Sequence, residues 1–484
     1  MLPHDPFVTD GTTFINQTGF VFAIAMCILL IVLPRRYALL PIVALICYMT
    51  MGMRVVVGGL NFTMIRILLL SGWLRLIIRG ELTKLKLNPL DKTILAWVSV
   101  NIVANTLLWQ TFEAFKNRLG FAYDALGFYF MFRFLMRDFN EVARVIKTYA
   151  VFILPVAALM IWEKMTGRDP FAMFGGVPQF TAIRDGALRC QGPFAHPILA
   201  GTFGATLMPL FGGLWWQKGK NRIYGLLSVV ASAIVTVTSA SSGPILTFLC
   251  GILALTFWKW RRHMRSLRWG IVLFLVGLQT VMHAPIWFLI GKMDIVAGST
   301  GYHRALLIDR AVANLPDWWL VGTKSTEVWS YGLFDVTNSY IANGVNGGLL
   351  AMILFITMIV LAFKGVGRAI KAGAENQSKQ NLQIIWALGA ALFAHAVAFL
   401  SVSYFDQNFV NWYLLLAAIS TCTGSLLMMP RFRFFASLRD QKQKIVNSLP
   451  GGSAGLNPDV RASCVSVSEV QSGLRLSSPP RQRF

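Results

Sequence analysis

Charge is scarce in this chain: Asp, Glu, Lys and Arg together make up 13% of its 484 residues, and acids are the rarer sign, 21 against 44 bases. So little charge excludes an ordinary soluble domain. A disulfide framework is missing too. Of the six cysteines, Cys27, Cys47, Cys250 and Cys422 lie inside apolar segments, and Cys190 and Cys464 fall on opposite predicted sides of a membrane. There is no P-loop lysine motif, Gly-rich dinucleotide turn, HExxH or CxxC pair, so no nucleotide, zinc or redox cofactor is indicated. The acidic residues of the predicted outer loops, Glu163, Asp169, Asp185, Asp294, Asp309, Asp317, Glu327 and Asp335, never form an Asp-x-Asp pair, which leaves no strong site for a divalent metal. No internal repeat stands out.

What the chain has is apolar length. Hydrophobic residues reach 55%, mean hydropathy is +0.58, and runs near twenty apolar residues recur throughout. This predicts an all-α, polytopic helical membrane protein. Spans are expected near 14–33, 37–57, 60–78, 91–109, 117–136, 142–162, 196–216, 222–239, 242–258, 269–290, 338–363, 383–402 and 408–428, about 12 to 13 in all. They form one transmembrane domain, 1–430, followed by a basic tail, 431–484, whose Ser, Gly, Pro and Arg content predicts disorder. The net charge of +23 does not point to nucleic acid, because the bases sit in short clusters at the ends of apolar runs, as at Arg35 and Arg36, at Arg137, Arg144 and Lys147, and at Arg261, Arg262 and Arg265. That is the positive-inside pattern. It places the N-terminus outside, as a retained anchor, and the C-terminus in the cytoplasm.

Two long loops then emerge on the outer side, about 163–195 and 291–337. A loop that only connects can be very short, so two long ones on one face suggest a site. The second loop opens Gly298-Ser299-Thr300-Gly301 and continues Tyr302-His303-Arg304 into a helical pattern that Pro316 is expected to end. Ser or Thr there would cap the helix and bring its positive end beside His303 and Arg304, the composition of an anion site. The first loop ends with Arg184, Arg189, Gly192-Pro193 and a helix begun by His196-Pro197. Two loops that each bring Arg to a helix N-terminus on one face favour a shared anionic ligand; each residue alone reads equally as a lipid-headgroup contact or an ordinary helix end. Inside the membrane Arg66, Asp124, Arg133, His283 and His395 are the expensive residues, and Arg66 with Asp124 is expected to be a structural ion pair. Trp215, Trp216, Trp318, Trp319 and Trp329 are expected in an interfacial belt.

Between about Arg184 and Phe363 the chain resembles the bacterial O-antigen ligase and polysaccharide polymerase superfamily. The resemblance rests on Arg189 followed by Gly192 and His196-Pro197, on the small-residue helix start from Ser239 to Leu255, on Arg304 in an amphipathic helix, on Pro316 and Gly322, and on the segment from Asp335 to Leu350 with its Gly-rich turn. It implies a GT-C-like glycosyltransferase of the bacterial inner membrane, with the two loops in the periplasm. It would move glycan from an undecaprenyl-diphosphate donor to a lipid A core or to a growing O-antigen or exopolysaccharide, without metal or cofactor and with inversion. On this reading Arg304, Arg189 and Asp335 are catalytic, and Arg184, His303, His196, Asn338 and Tyr340 bind substrate. Thr337 stands where many relatives have His and cannot serve as a base near neutral pH; Asp335, Glu327 and His303 are the substitutes. Asn338 or Asp335 reads alternatively as a cap of the next helix. The reading from a different class is a transporter or flippase for an anionic lipid or sugar, which predicts broken helices meeting at the midplane.

Overall fold

A computed structural model describes residues 13–58, 60–292, 301–330, 332–374 and 377–424, and the statements below concern these. The basic tail lies outside them, as do Ser299 and Thr300, the expected caps ahead of Arg304. The chain is helical nearly throughout. In order come α1 (Gln17–Val32), α2 (Leu39–Tyr48), α3 (Met64–Ile78), α4 (Pro89–Trp109), α5 (Phe112–Leu135), α6 (Phe139–Thr166), α7 (Pro197–Trp215) and α8 (Lys220–Thr238). There follow α9 (Ser242–Thr256), α10 (Met264–Val281), the short α11 (Leu289–Lys292), α12 (Gly301–Ala313), α13 (Leu315–Trp318), α14 (Ser339–Gly373), α15 (Lys379–Ala398) and α16 (407–424). Local chemistry starts many of them. Asn88 and Asp91 form a reciprocal capping box around Pro89, and the Thr111, Asp138 and Ser378 side chains each accept a first-turn amide.

Each predicted span overlaps a helix, yet only seven described segments are both long and apolar enough to cross a membrane. The difference is physical. At 16, 10 and 15 residues, α1, α2 and α3 fall short of the roughly 20 that a perpendicular crossing needs, the 24-residue α5 is long enough but carries five charged residues, and α9 and α10 run on as one segment. The expectation of helix from 37 to 57 is corrected: α2 stops at Tyr48, and β1 (Arg54–Val57) pairs antiparallel with β2 (Leu60–Thr63), Arg54 opposite Thr63. Three consecutive valines ahead of Gly58, which has φ +58, favour a hairpin over another helical turn. The span expected over 338–363 lies within α14, with a kink near its start. The kink is at Gly348 (φ +76), where Leu349 N donates to Trp319 O at 2.7 Å. Pro316 does not itself end a helix; α12 stops at Ala313, and the proline sits in the first turn of α13.

The centre of the bundle is α7, buried along almost its whole length. Gly201, Gly204, Gly212 and Gly213 let α8, α9 and α15 approach its backbone. Where the surroundings are lipid rather than water, close packing through small residues replaces the hydrophobic effect as the force between helices. The expected Arg66–Asp124 pair is present: Arg66 Nε lies 2.8 and 3.1 Å from the two carboxylate oxygens and Nη2 lies 2.6 Å from Oδ2. Arg133 faces Asp91 at 3.4 Å and donates to Thr421 Oγ1 at 3.2 Å. The interfacial belt is corrected in part, since Trp318 is buried and donates from Nε1 to Ala311 O.

The loops sort into two groups. Arg35 donates to the carbonyls of Phe134 and Leu135, Arg137 to that of Glu81, and Arg144 to that of Arg36, so these predicted cytoplasmic segments meet at one end of α1, α3, α5 and α6. The two long loops meet elsewhere, around a cleft.

Candidate functional site

That cleft, about 350 Å³, gathers Arg184, Arg189, His196, His303, Arg304 and Asp335, six of the eight residues expected to form the site. They come from separate elements. Arg184 and Arg189 lie on a hairpin of β3 (Ala182–Arg184) and β4 (Ala187–Arg189), Ala182 opposite Arg189. This corrects the expectation that they stand at a helix start. Cys190 N donates to Thr238 O at 3.1 Å, tying the hairpin to the α8–α9 turn.

The first turn of α9 is where the two principal arginines converge. Arg189 Nη2 donates to Ser241 Oγ at 2.8 Å, and Arg304 Nη2 lies 3.8 Å from the point a side chain on Gly243 would occupy. Ser241 is the N-cap of α9 but makes no side-chain cap, because its hydroxyl donates to Ser239 O while accepting from Arg189. The positive end of α9 therefore adds to the two guanidinium groups. Arg304 is 7% exposed and sits on the buried face of α12, whereas Arg310 is exposed. Burial is the main cause, and neighbouring Arg184 the second, of an Arg189 pKa below its ordinary value.

The loop carrying Arg189 is held from below by Glu163. Its Oε1 accepts from Thr181 Oγ1 and Gln191 N, both at 3.0 Å, and its Oε2 accepts from Gly192 N at 2.9 Å. Glu163 is fully buried. Nearby Asp169 accepts from Phe171 N at 2.9 Å, and burial followed by the charge of Glu163 pushes its pKa up to about 8.

His196 is the N-cap of α7, with Nδ1 accepting from Ile198 N at 3.2 Å. Its neutral ring then carries the proton on Nε2, and that nitrogen is a donor, not a base. Burial first, then Arg189, lower its pKa, with Asp335 opposing, so the ring favours the neutral form. Asp335 is the single carboxylate among the residues lining the cleft, and His303 lines it too. Thr337 also lines it, with a buried Oγ1 that has no hydrogen-bond partner among the described residues.

Asn338 and Tyr340 do not reach this cleft. Asn338 is the N-cap of α14, accepting from Tyr340 N and Ile341 N and donating to Leu400 O; Tyr340 donates to Ala396 O and packs on Phe355 and Phe399. Glu327 is exposed and stands apart from it. The cleft also takes in Ser241 and Ser242, which the sequence placed at a small-residue helix start without a role of their own, and the segment from Ser401 to Phe405, which it did not single out. That segment is stitched to the start of α14: Ser403 donates to Val336 O, and Ser339 donates to Val402 O at 2.7 Å. Its signal in the sequence is a polar interruption, Ser401 to Asn408, between two apolar runs. Among the described residues no group of three or more His, Cys, Asp or Glu could hold a metal ion.

The chain matches no family model and no curated protein.

Proposed function

We propose that this protein is a glycan transferase of the bacterial inner membrane, acting at the periplasmic face on glycan linked to undecaprenyl diphosphate. On this reading the chain crosses the membrane about 12 to 13 times, with the shorter α1 to α3 completing the bundle. The observation that carries it is the convergence of Arg189 and Arg304, from loops more than a hundred residues apart, on the positive end of α9, with Arg184 beside them.

The chemistry follows from charge. An acceptor hydroxyl attacks the anomeric carbon, the bond to the diphosphate oxygen breaks, and the diphosphate leaves with the electron pair. Diphosphate is a good leaving group, so the site mainly has to stabilise growing negative charge. Preorganised guanidinium groups at the positive end of a helix do that. Neutral His196 donates from Nε2 to the diphosphate or the sugar. Asp335 accepts the hydroxyl proton. Attack opposite the leaving group inverts the anomeric carbon. Because the cleft is cationic, a divalent ion is repelled from it, and the reaction runs without metal. The acceptor is a lipid A core in a ligase or a growing O-antigen or exopolysaccharide in a polymerase.

A second reading, a transporter or flippase for an anionic lipid, is favoured by the break of α14 at Gly348. Proteoliposomes containing a lipid-diphosphate glycan and lipid A core or oligosaccharide acceptor separate the two. Release of undecaprenyl diphosphate with a matching rise in glycosylated acceptor is expected, in the presence of EDTA as well. Movement of the donor between leaflets with no release would replace the transferase reading by the transporter.

A further inference from the structure

A second cleft of about 350 Å³ adjoins the first, and Ser403 and Phe405 line both. Its wall is unlike that of the arginine cleft. Aromatic rings and amides share it: Asn101, Asn343 and Asn346 project from α4 and α14 among aromatic side chains that include the indoles of Trp97 and Trp412. Each amide is held by one or two internal bonds and keeps further hydrogen-bonding capacity. Asn101 donates to Trp97 O at 2.9 Å, Asn343 donates to Ser339 O and accepts from Trp97 Nε1, and Asn346 donates to Ala342 O. Trp412 is 3% exposed, and its indole N–H has no partner among the described residues.

One cation in this wall has no anion. Arg118, on α5, donates from Nη2 to Asn346 Oδ1 at 2.9 Å and lies over Phe121, but among the described residues it makes no ion pair, and its Nε is buried without a partner. The one carboxylate lining the cleft, Asp124, is taken up by the bidentate contact with Arg66. A guanidinium shielded from water, with a neutral amide as its polar partner, favours an incoming anionic group. Amides with aromatic faces suit hydroxyl-rich rings, which offer alternating donors and C–H faces.

From this we infer that the second cleft binds an acidic saccharide, with Arg118 on its carboxylate or phosphate group and the asparagine amides on its hydroxyls. The inference rests on the transferase reading only for its role: the shared wall at Ser403 would present a hydroxyl of that saccharide to the arginine cleft, making it the acceptor. Binding itself stands without that reading.

The test is calorimetry on the full chain in phosphatidylcholine nanodiscs, with a uronic-acid-containing tetrasaccharide and maltotetraose as the probes. The acidic tetrasaccharide should bind at least tenfold tighter than the neutral one. Arg118→Gln should abolish that difference, and so should Asn346→Asp, which keeps the guanidinium but supplies it with an internal anion. Arg304→Ala should leave the difference in place, so loss of transfer chemistry is told apart from loss of this cleft. Equal binding of the two probes, binding of neither, or a preference that survives both cleft substitutions would overturn the inference. Displacement of the acidic probe when phosphatidylglycerol replaces part of the lipid would assign the cleft to a lipid headgroup instead, and overturn it equally.

Discussion

Arg189 and Ser241 are joined by a 2.8 Å hydrogen bond from Nη2 to Oγ across 52 residues of sequence, and that bond fixes a hairpin arginine on the first turn of a helix in the bundle. It replaces the side-chain cap that Ser241 would otherwise make. The fold thus uses a serine to aim a cation rather than to finish a helix. A site that must meet developing charge gains from such aiming, because a group already in place does not reorganise as the charge appears.

On the transferase reading, Ser241→Ala should therefore lower glycan transfer about tenfold, the effect of losing one charge-assisted hydrogen bond of about 1.5 kcal/mol. Ser241→Thr keeps the hydroxyl and should recover most of the rate. Initial rates in proteoliposomes measure both. An Ala variant as active as the parent would show that Arg189 needs no aiming.

Glu163 supports the same loop from beneath with three accepted hydrogen bonds. In Glu163→Gln one oxygen becomes an amide NH₂ that faces a backbone N–H, either of Gly192 or of Gln191. Two donors then oppose each other in a buried place, which costs about 1 to 3 kcal/mol. A fall of several degrees in the thermal midpoint in detergent is expected, with a loss of transfer that follows the loosening of Arg189. An unchanged midpoint would mean that the carboxylate is not the clamp.

Much of this site was readable before folding, and the reason is its charge. Arginine is too costly to leave unexplained beside an apolar run, so Arg184, Arg189 and Arg304 announced themselves, and the fold brings all three together. Ser241 and Ser403 did not, because a serine near a helix start has a cheap local use, and only the meeting of distant segments reveals a different one. Asn338 carried both readings, substrate contact and helix cap, and the fold makes the cap. The hairpin at Arg54 to Thr63 was hidden in the same way: an apolar run of that length fits helix and strand alike, and Gly58 decides between them.

Asp169 gives a pH signature. Its folded pKa is raised from 3.8 to about 8, so between those values the folded state binds more protons than the unfolded one, and stability falls as pH rises through that window. The thermal midpoint should accordingly drop from pH 5 to pH 8. Asp169→Asn keeps the oxygen that accepts from Phe171 N, carries no charge, and should flatten this slope while raising the midpoint near pH 8. A slope that persists in the Asn variant would place the titrating group elsewhere.

Arg304 is the strictest test of the transferase reading. If its guanidinium holds the departing diphosphate, geometry counts as much as charge, because a planar fork can grip two oxygens where an ammonium offers a point. Arg304→Lys should then be nearly as damaging as Arg304→Ala, each slowing transfer roughly ten- to a hundredfold for about 1.5 to 3 kcal/mol of lost hydrogen bonding. The residue is only 7% exposed, so the Ala variant also leaves a gap against α9, and its thermal midpoint must be measured beside its rate. The Lys variant fills most of that gap and separates the two effects. Arg310 lies exposed six residues further along the same helix and supplies the internal control; its Ala variant should keep most of the activity. Full activity in Arg304→Lys would reduce this arginine to a source of charge, and full activity in a folded Arg304→Ala would remove the diphosphate from the cleft.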